Sequence, residues 1–137
     1  MPTPRQLLIA LLLGVSLAAG GCGGGSGGSG GSESADAGPS TGDELYRRYA
    51  CASCHTLDGS DGTGPSFKGL AGSTRTLEGG ERTEATSAYL RRAIIDPDAD
   101  VVEGYNAGLM TSSIDGFDLD SRPKDVARLV EFIESVK

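Results

Sequence analysis

The sequence predicts an all-α domain of about three to five helices joined by glycine-rich loops. Three segments carry apolar residues at helical spacing, two glycine-rich stretches at 58–72 and 104–116 separate them, and no convincing alternating strand pattern occurs. All seven aromatic residues, four Tyr and three Phe, follow residue 40. We therefore expect the folded domain at 41–137, with a core so small that a bound apolar group would help to stabilise it.

The first predicted helix begins at a capping box. Thr41 is followed three residues later by Glu44, a spacing in which each side chain can bond to the other residue's backbone amide. Leu45, Tyr46 and Tyr49 then supply an apolar face that leads into Cys51. The spacing predicts a helix that ends close to this cysteine.

Two further helices follow from apolar periodicity and end signals. The segment from about Thr86 to Asp96 has one apolar face, and Pro97 ends it. The last helix begins after Asp120 or Ser121 with Pro123 in its first turn. Its apolar residues follow the i, i+3, i+4, i+7 spacing: Val126, Leu129, Val130, Ile133 and Val136.

Charge and composition exclude several functions. The chain has 12 Lys and Arg against 19 Asp and Glu, and Arg5 is the only basic residue before position 47. Nucleic acid is excluded as a partner because its phosphates need concentrated positive charge, and no polybasic membrane patch exists. With the single histidine His55, neither a multi-histidine metal centre nor a peroxidase with a second, acid-base histidine can form.

Residues 1–22 are predicted to form an export signal. Arg5 precedes an apolar run from Leu7 to Ala19, which is shorter than the ~20 residues of a membrane-spanning helix. The sequence Ala19-Gly20-Gly21-Cys22 resembles the lipobox of bacterial lipoproteins, although that family usually has Leu where this chain has Ala19. The resemblance implies a lipid on Cys22 and a lipid-anchored protein in the periplasm or on the outer face of the cytoplasmic membrane. There are two alternatives: cleavage after Ala18, which gives a soluble periplasmic protein, and an uncleaved anchor.

Residues 23–40 contain almost only Gly, Ser, Ala and acidic residues. They cannot bury enough apolar surface to offset the entropy lost on ordering, so a flexible linker is predicted. Its root-mean-square span is roughly 21–25 Å. The domain would thus stay close to the membrane that holds Cys22.

The segment Cys51-Ala52-Ser53-Cys54-His55 is typical of covalent attachment of haem c. A helical turn presents both thiols on one side, where they can bond to the porphyrin, while the adjacent imidazole reaches the iron. Three alternatives are a zinc site, a thioredoxin-like redox pair and a plain disulfide. The first has only Cys22 as a further ligand, the second lacks a βαβ pattern, and the third leaves the glycine-rich loops with nothing to pack against.

From Gly42 onward the chain resembles the class I cytochromes c, and most closely the cytochrome c domain of haem-copper oxidase subunit II. The copper-binding domain of that subunit is missing, so we expect a free-standing relative. The resemblance is carried by Gly42-Asp43-Glu44-Leu45-Tyr46, Cys51-Ala52-Ser53-Cys54-His55, Gly62-Thr63-Gly64-Pro65-Ser66-Phe67-Lys68-Gly69-Leu70, Tyr89-Leu90, Pro97, Val101-Val102-Glu103-Gly104-Tyr105-Asn106-Ala107-Gly108-Leu109-Met110 and Leu129-Val130-Glu131-Phe132-Ile133.

The resemblance implies that Met110 binds the haem iron opposite His55. Apart from Met1, it is the only thioether in the chain, and its flanking glycines and serines favour a loop over a core-filling side chain. The family usually has Pro after this methionine, whereas this chain has Thr111, so we expect a less rigid loop and an iron–sulfur bond that is easier to displace. The carbonyl of Pro65 is implied to accept a hydrogen bond from His55, unless this proline only forms a turn.

Other residues are given roles around the haem. Candidates for contacts with the haem propionates are Tyr105, Arg75 and Arg82. The alternative for the two arginines is that they are exposed to solvent, which is the ordinary case for arginine. Where the first and last helices cross, Gly42 and Tyr46 are expected to meet Leu129 and Phe132.

The sequence thus predicts a one-electron carrier and not an enzyme, with no small-molecule substrate. Its implied partners are redox proteins, namely an oxidase, a cytochrome bc-type complex or a photosynthetic reaction centre. The alternatives are a haem-based sensor with a displaceable Met110 and a fixed haem subunit of an oxidase complex.

Overall fold

A computed structural model describes residues 41–137 of the chain. The predictions for the export signal at 1–22, for lipid on Cys22 and for the linker at 23–40 lie outside these residues. Four α-helices and one short hairpin make up the described fold. None of the helices within 41–137 has the length and apolar character needed to cross a membrane.

Helix α1 (Gly42–Arg48) begins at the predicted capping box. The hydroxyl of Thr41 accepts from the amide of Glu44 at 3.3 Å, and the carboxylate of Glu44 accepts from the amide of Thr41 at 3.2 Å. The helix ends before Cys51 because Ala50 adopts a left-handed conformation, with φ 56°. A 3₁₀ turn, Cys51–Ser53, then carries the first cysteine.

A hairpin follows that the sequence pattern did not predict. Strands β1 (Thr74–Thr76) and β2 (Arg82–Glu84) pair antiparallel, with Arg75 opposite Thr83. The sequence shows no strand pattern here because three residues are too few to form an alternating one, and the fold remains mostly helical as predicted. Gly79 and Gly80, both with positive φ, carry the turn between the strands.

Helix α2 (Ser87–Ile95) confirms the second predicted helix. The hydroxyl of Thr86 accepts from the amide of Tyr89 at 3.3 Å and so caps its start. Three residues of the predicted apolar face, Tyr89, Leu90 and Ile94, are buried. After Asp96 the chain enters a second 3₁₀ turn, Pro97–Ala99. Proline at the first position of this turn is typical of a helix start.

Helix α3 (Leu109–Ile114) places Met110 in a helix, whereas the sequence indicated a loop. Six residues are too few for an apolar stripe, and three of them, Thr111, Ser112 and Ser113, are weak helix formers. The hydroxyls of both serines bond to carbonyls four residues earlier. Local sequence therefore gave no helical signal here.

Helix α4 (Pro123–Ser135) confirms the last predicted helix. It follows two 3₁₀ turns, Asp115–Phe117 and Leu119–Ser121. Four of the five apolar residues predicted on its stripe are buried: Val126, Leu129, Val130 and Ile133. They join buried residues of α1, of α2 and of the connecting segments in one core within residues 41–137.

Helices α1 and α4 cross at Gly42, as the sequence predicted. A Cβ atom on Gly42 would lie 2.4 Å from Cβ of Phe132 and 2.6 Å from the carbonyl oxygen of Arg128. The ring of Tyr46 packs on Phe132 at a centroid distance of 5.5 Å. Glycine at position 42 thus allows the two helices to approach closely.

Candidate functional site

A single cleft of about 920 Å³, partly open to solvent, brings most of the predicted site residues together. Its walls come from the segment after the cysteines, from α2, from the chain after Pro97, from α3 and from α4. Most of the side chains that line it are apolar. Five residues singled out by the sequence lie on its wall: Cys54, His55, Pro65, Tyr105 and Met110.

His55 is held in one orientation by a hydrogen bond within the cleft. Its Nδ1 lies 2.8 Å from the carbonyl oxygen of Pro65. A carbonyl can only accept, so Nδ1 carries the proton and Nε2 has the free lone pair that a metal needs. Burial lowers the pKa of His55, while the bond to Pro65 acts in the opposite direction. The ring is therefore held neutral, in the form that binds metals.

Aromatic residues complete the support of His55, and sequence reasoning gave Phe67 no part in it. The ring of Phe67 stacks on the imidazole with a centroid distance of 4.6 Å and an angle of 23°. The hydroxyl of Tyr46 donates to the backbone carbonyl of His55. The closeness of Phe67 to Pro65 in the sequence was the one signal available for its role.

Gly64 allows the chain to pass directly over the imidazole. A Cβ atom there would lie 2.5 Å from Cε1 and 2.9 Å from Nδ1 of His55. The amide of Gly64 donates to the carbonyl of Cys54 at 2.9 Å, which fixes this segment against the cysteine turn. Gly62 is restricted in a similar way, because its Cβ would lie 2.6 Å from the same carbonyl oxygen.

Cys51 and Cys54 are free thiols. Burial raises the pKa of the Cys51 thiol to about 11, so it stays protonated at neutral pH. A reactive redox cysteine has the opposite property, a lowered pKa. No group of three or more His, Cys, Asp or Glu side chains suited to a metal occurs within residues 41–137. The thioredoxin-like and zinc alternatives thus find no support in this part of the chain.

Met110 is half-buried on the wall of the cleft, and the residues on both sides of it are anchored. The carboxylate of Asp98 accepts from the amide of Gly108 at 2.8 Å and from the hydroxyl of Thr111 at 2.8 Å. These two bonds hold the pKa of Asp98 below its usual value. The segment with Thr111 is therefore bonded to Asp98, and the expectation of a less rigid loop stays a prediction.

The three predicted propionate contacts lie in different settings. The hydroxyl of Tyr105 donates to Asp61 at 3.2 Å, and burial followed by this bond raises the pKa of Tyr105. Nε of Arg75 is buried and has no hydrogen-bond partner within the described residues. Arg82 is exposed on β2 and does not line the cleft. Arg75 does not line the cleft either, so the structure places Tyr105 alone of the three on the cleft wall.

These groups fit covalent haem c. The two thiols lie on one turn, and the free Nε2 of His55 and the thioether of Met110 are both groups that bind haem iron. The apolar wall of the cleft suits a porphyrin.

Comparison with known proteins identifies the family of this chain. No curated protein matches the chain. The family model described as Cytochrome c matches residues 39–137, which is more than half of the chain. The chain therefore belongs to the cytochrome c family, whose domain binds covalent haem c and serves haem-based electron transfer.

Proposed function

We propose that this protein is a monohaem electron carrier with His55 and Met110 as the two axial ligands of the iron. The observation that carries the proposal is that one cleft brings together the chain's single imidazole and the single methionine of residues 41–137. Among the methionines, only Met1 lies elsewhere, in the predicted export signal. This cleft is therefore the site at which the described residues can supply both ligands.

The side chains of the cleft suit electron transfer better than catalysis. When bound, haem supplies a one-electron couple between Fe(III) and Fe(II). The neutral thioether of Met110 favours the reduced state, and the bond from His55 to Pro65 holds the opposite ligand in place. With His55 and Met110 both bound to it, the iron would have no position open to a small-molecule substrate. We infer that the protein is not an enzyme.

The charge around the cleft favours a basic partner. Among the residues of 41–137 that line it, the charged side chains are the acidic Asp98 and Asp100, and neither Lys nor Arg is present. The whole chain has a net charge of −7. We propose transient docking to a positively charged face of an oxidase, a cytochrome bc-type complex or a reaction centre, with association that slows as salt is added.

The proposal includes a tether to the membrane. The predicted export signal at 1–22, lipid on Cys22 and a flexible linker at 23–40 would keep the domain at the outer face of the cytoplasmic membrane or elsewhere in the periplasm. The similarity to the oxidase-linked cytochrome c domain agrees with such a place. Mass analysis of the mature chain tests the proposed tether. A mature chain without lipid on Cys22 would contradict it.

The ligation is tested by the absorption spectrum of the oxidised protein. We expect the charge-transfer band of thioether-ligated ferric haem in the wild type and its loss in Met110→Ala. Ser113→Ala is the matched control because Ser113 lies on the same helix, is exposed and does not line the cleft, so the band should remain. A wild-type spectrum without this band would contradict the assignment of Met110.

Two further outcomes distinguish the other functions. Rapid and complete binding of carbon monoxide to the reduced protein at neutral pH would favour a haem-based sensor, because both axial positions could not then be held firmly. Purification only together with an oxidase would favour a fixed subunit over a mobile carrier.

A further inference from the structure

Helix α3, which carries Met110, has little apolar packing of its own. None of its six residues is buried, and Leu109 is 47% exposed. Only Ile114, at the far end, packs against the core. A methionine side chain has three rotatable bonds, so holding its thioether in one place requires an ordered backbone. Apolar burial does not supply that order at this end of the helix.

Hydrogen bonds to Asp98 order the backbone at the start of α3 instead. One carboxylate oxygen of Asp98 accepts from the amide of Gly108, and the other accepts from the hydroxyl of Thr111, each at 2.8 Å. The two donors lie on either side of Met110 in the chain. Gly108 has φ 79°, a left-handed turn that directs the chain into α3.

Asp98 itself is held by a more rigid part of the fold. It lies in the 3₁₀ turn Pro97–Ala99, directly after α2, whose residue Ile94 is buried in the core. The amide of Ala99 donates to the carbonyl of Asp96 at 3.2 Å and closes this turn. The carboxylate is thus held in place relative to α2, and its two hydrogen bonds hold the start of α3 in place relative to α2 as well.

We propose that Asp98 and Thr111 are positioning residues that hold Met110 at the iron. This inference rests on the proposed ligation by Met110. Neither residue contacts the metal, and each acts through the backbone on one side of the methionine. Loss of either bond lets the start of α3 move, so an external ligand displaces the thioether more easily.

The test is displacement of Met110 by imidazole in the oxidised, haem-loaded full-length protein. In Asp98→Ala and Thr111→Val we expect imidazole to bind about five- to tenfold more tightly, which is within the range of effect that a typical hydrogen bond produces. The charge-transfer band of the thioether should also weaken. Thr111→Ser keeps the hydroxyl and should restore the wild-type affinity.

Ser113→Ala is the matched control. It removes a hydroxyl from the same helix, but one that donates to the carbonyl of Leu109 and not to Asp98. Its affinity for imidazole should equal that of the wild type. Hydrogen exchange at the amide of Gly108 gives a readout that does not depend on the haem, and it should become faster in Asp98→Ala.

The outcomes separate this inference from the function on which it rests. A wild type without the thioether band contradicts the ligation by Met110. If the wild type shows the band but the variants bind imidazole as weakly as the wild type does, the positioning role is overturned and the ligation by Met110 is not. Global unfolding of both Asp98→Ala and Thr111→Val would overturn it too, since a local anchor at exposed residues leaves the core folded.

Discussion

The orientation of His55 depends on three contacts from separate parts of the chain. The carbonyl of Pro65 holds its Nδ1, the ring of Phe67 stacks on its face, and the hydroxyl of Tyr46 holds its backbone carbonyl. Only Nε2 remains for a metal. The residue is thus oriented by its surroundings as well as by its place after Cys54.

Gly64→Ala should disturb this orientation directly. The new Cβ would lie 2.5 Å from the ring of His55, so the ring or the loop must shift, and overpacking of this kind costs about 1–3 kcal/mol. We expect a lower free energy of unfolding in denaturant and an altered absorption spectrum of the haem-loaded protein. Gly116→Ala is the control, because its Cβ meets no atom within 4 Å and should change neither property.

At this scale, the sequence predicted those site residues whose signal is local or carried by a resemblance. Cys51, Cys54 and His55 follow from a contiguous motif, and the bond between His55 and Pro65 follows from the resemblance. The bonds from Asp98 to Gly108 and Thr111 could not be predicted, because they join residues with no shared pattern. Their proximity depends on how the 3₁₀ turn Pro97–Ala99 packs against α3.

The junction between α1 and the cysteine turn shows how one residue ends an element. Ala50 has φ 56°, a left-handed conformation in which Cβ is strained. Glycine is the usual residue at such a helix end. Ala50 thus adds conformational strain at the point where the chain turns toward Cys51.

Ala50→Gly should therefore raise the free energy of unfolding by about 0.5–1 kcal/mol, because relief of the strain exceeds the entropy that glycine adds to the unfolded chain. Ala52→Gly is the matched control in the adjacent 3₁₀ turn. Ala52 is exposed and has no positive φ, so glycine there should lower stability by a similar amount. Denaturant titration measures both changes, and equal signs for the two variants would contradict the prediction.

Element length decided which elements were predictable. Helices α1, α2 and α4 carry caps, apolar faces or an initial proline, and all three were predicted close to their observed bounds. Helix α3 and the hairpin have three to six residues in each segment, which is too short for either periodicity. Their conformations depend on glycine turns and on contacts made after the chain folds.

Across the whole domain, four tyrosines hold their protons more tightly than in an unfolded chain. Desolvation by burial is the largest cause that raises the pKa of Tyr46, Tyr49, Tyr89 and Tyr105 above 10.0. Neighbouring carboxylates add to it, as at Tyr49, which donates to Asp125. Each tyrosine is thus stabilised in its neutral form by folding.

Stability should accordingly fall at alkaline pH. Above about pH 10 the unfolded chain loses these protons first and binds fewer of them than the folded protein, so the free energy of unfolding decreases as pH rises through the folded pKa values. Denaturant titrations between about pH 8 and about pH 11 measure the slope. Tyr49→Phe should make it shallower, and an unchanged slope in that variant would contradict this explanation.

The cleft wall includes Ile133 of α4, the last helix in chain order, and the amide of Gly69 donates to the carbonyl of Val136 just beyond it. A nascent polypeptide that has been translated only as far as α3 lacks both contacts. The last helix therefore closes one side of the cleft, and the cleft wall is incomplete until α4 has docked.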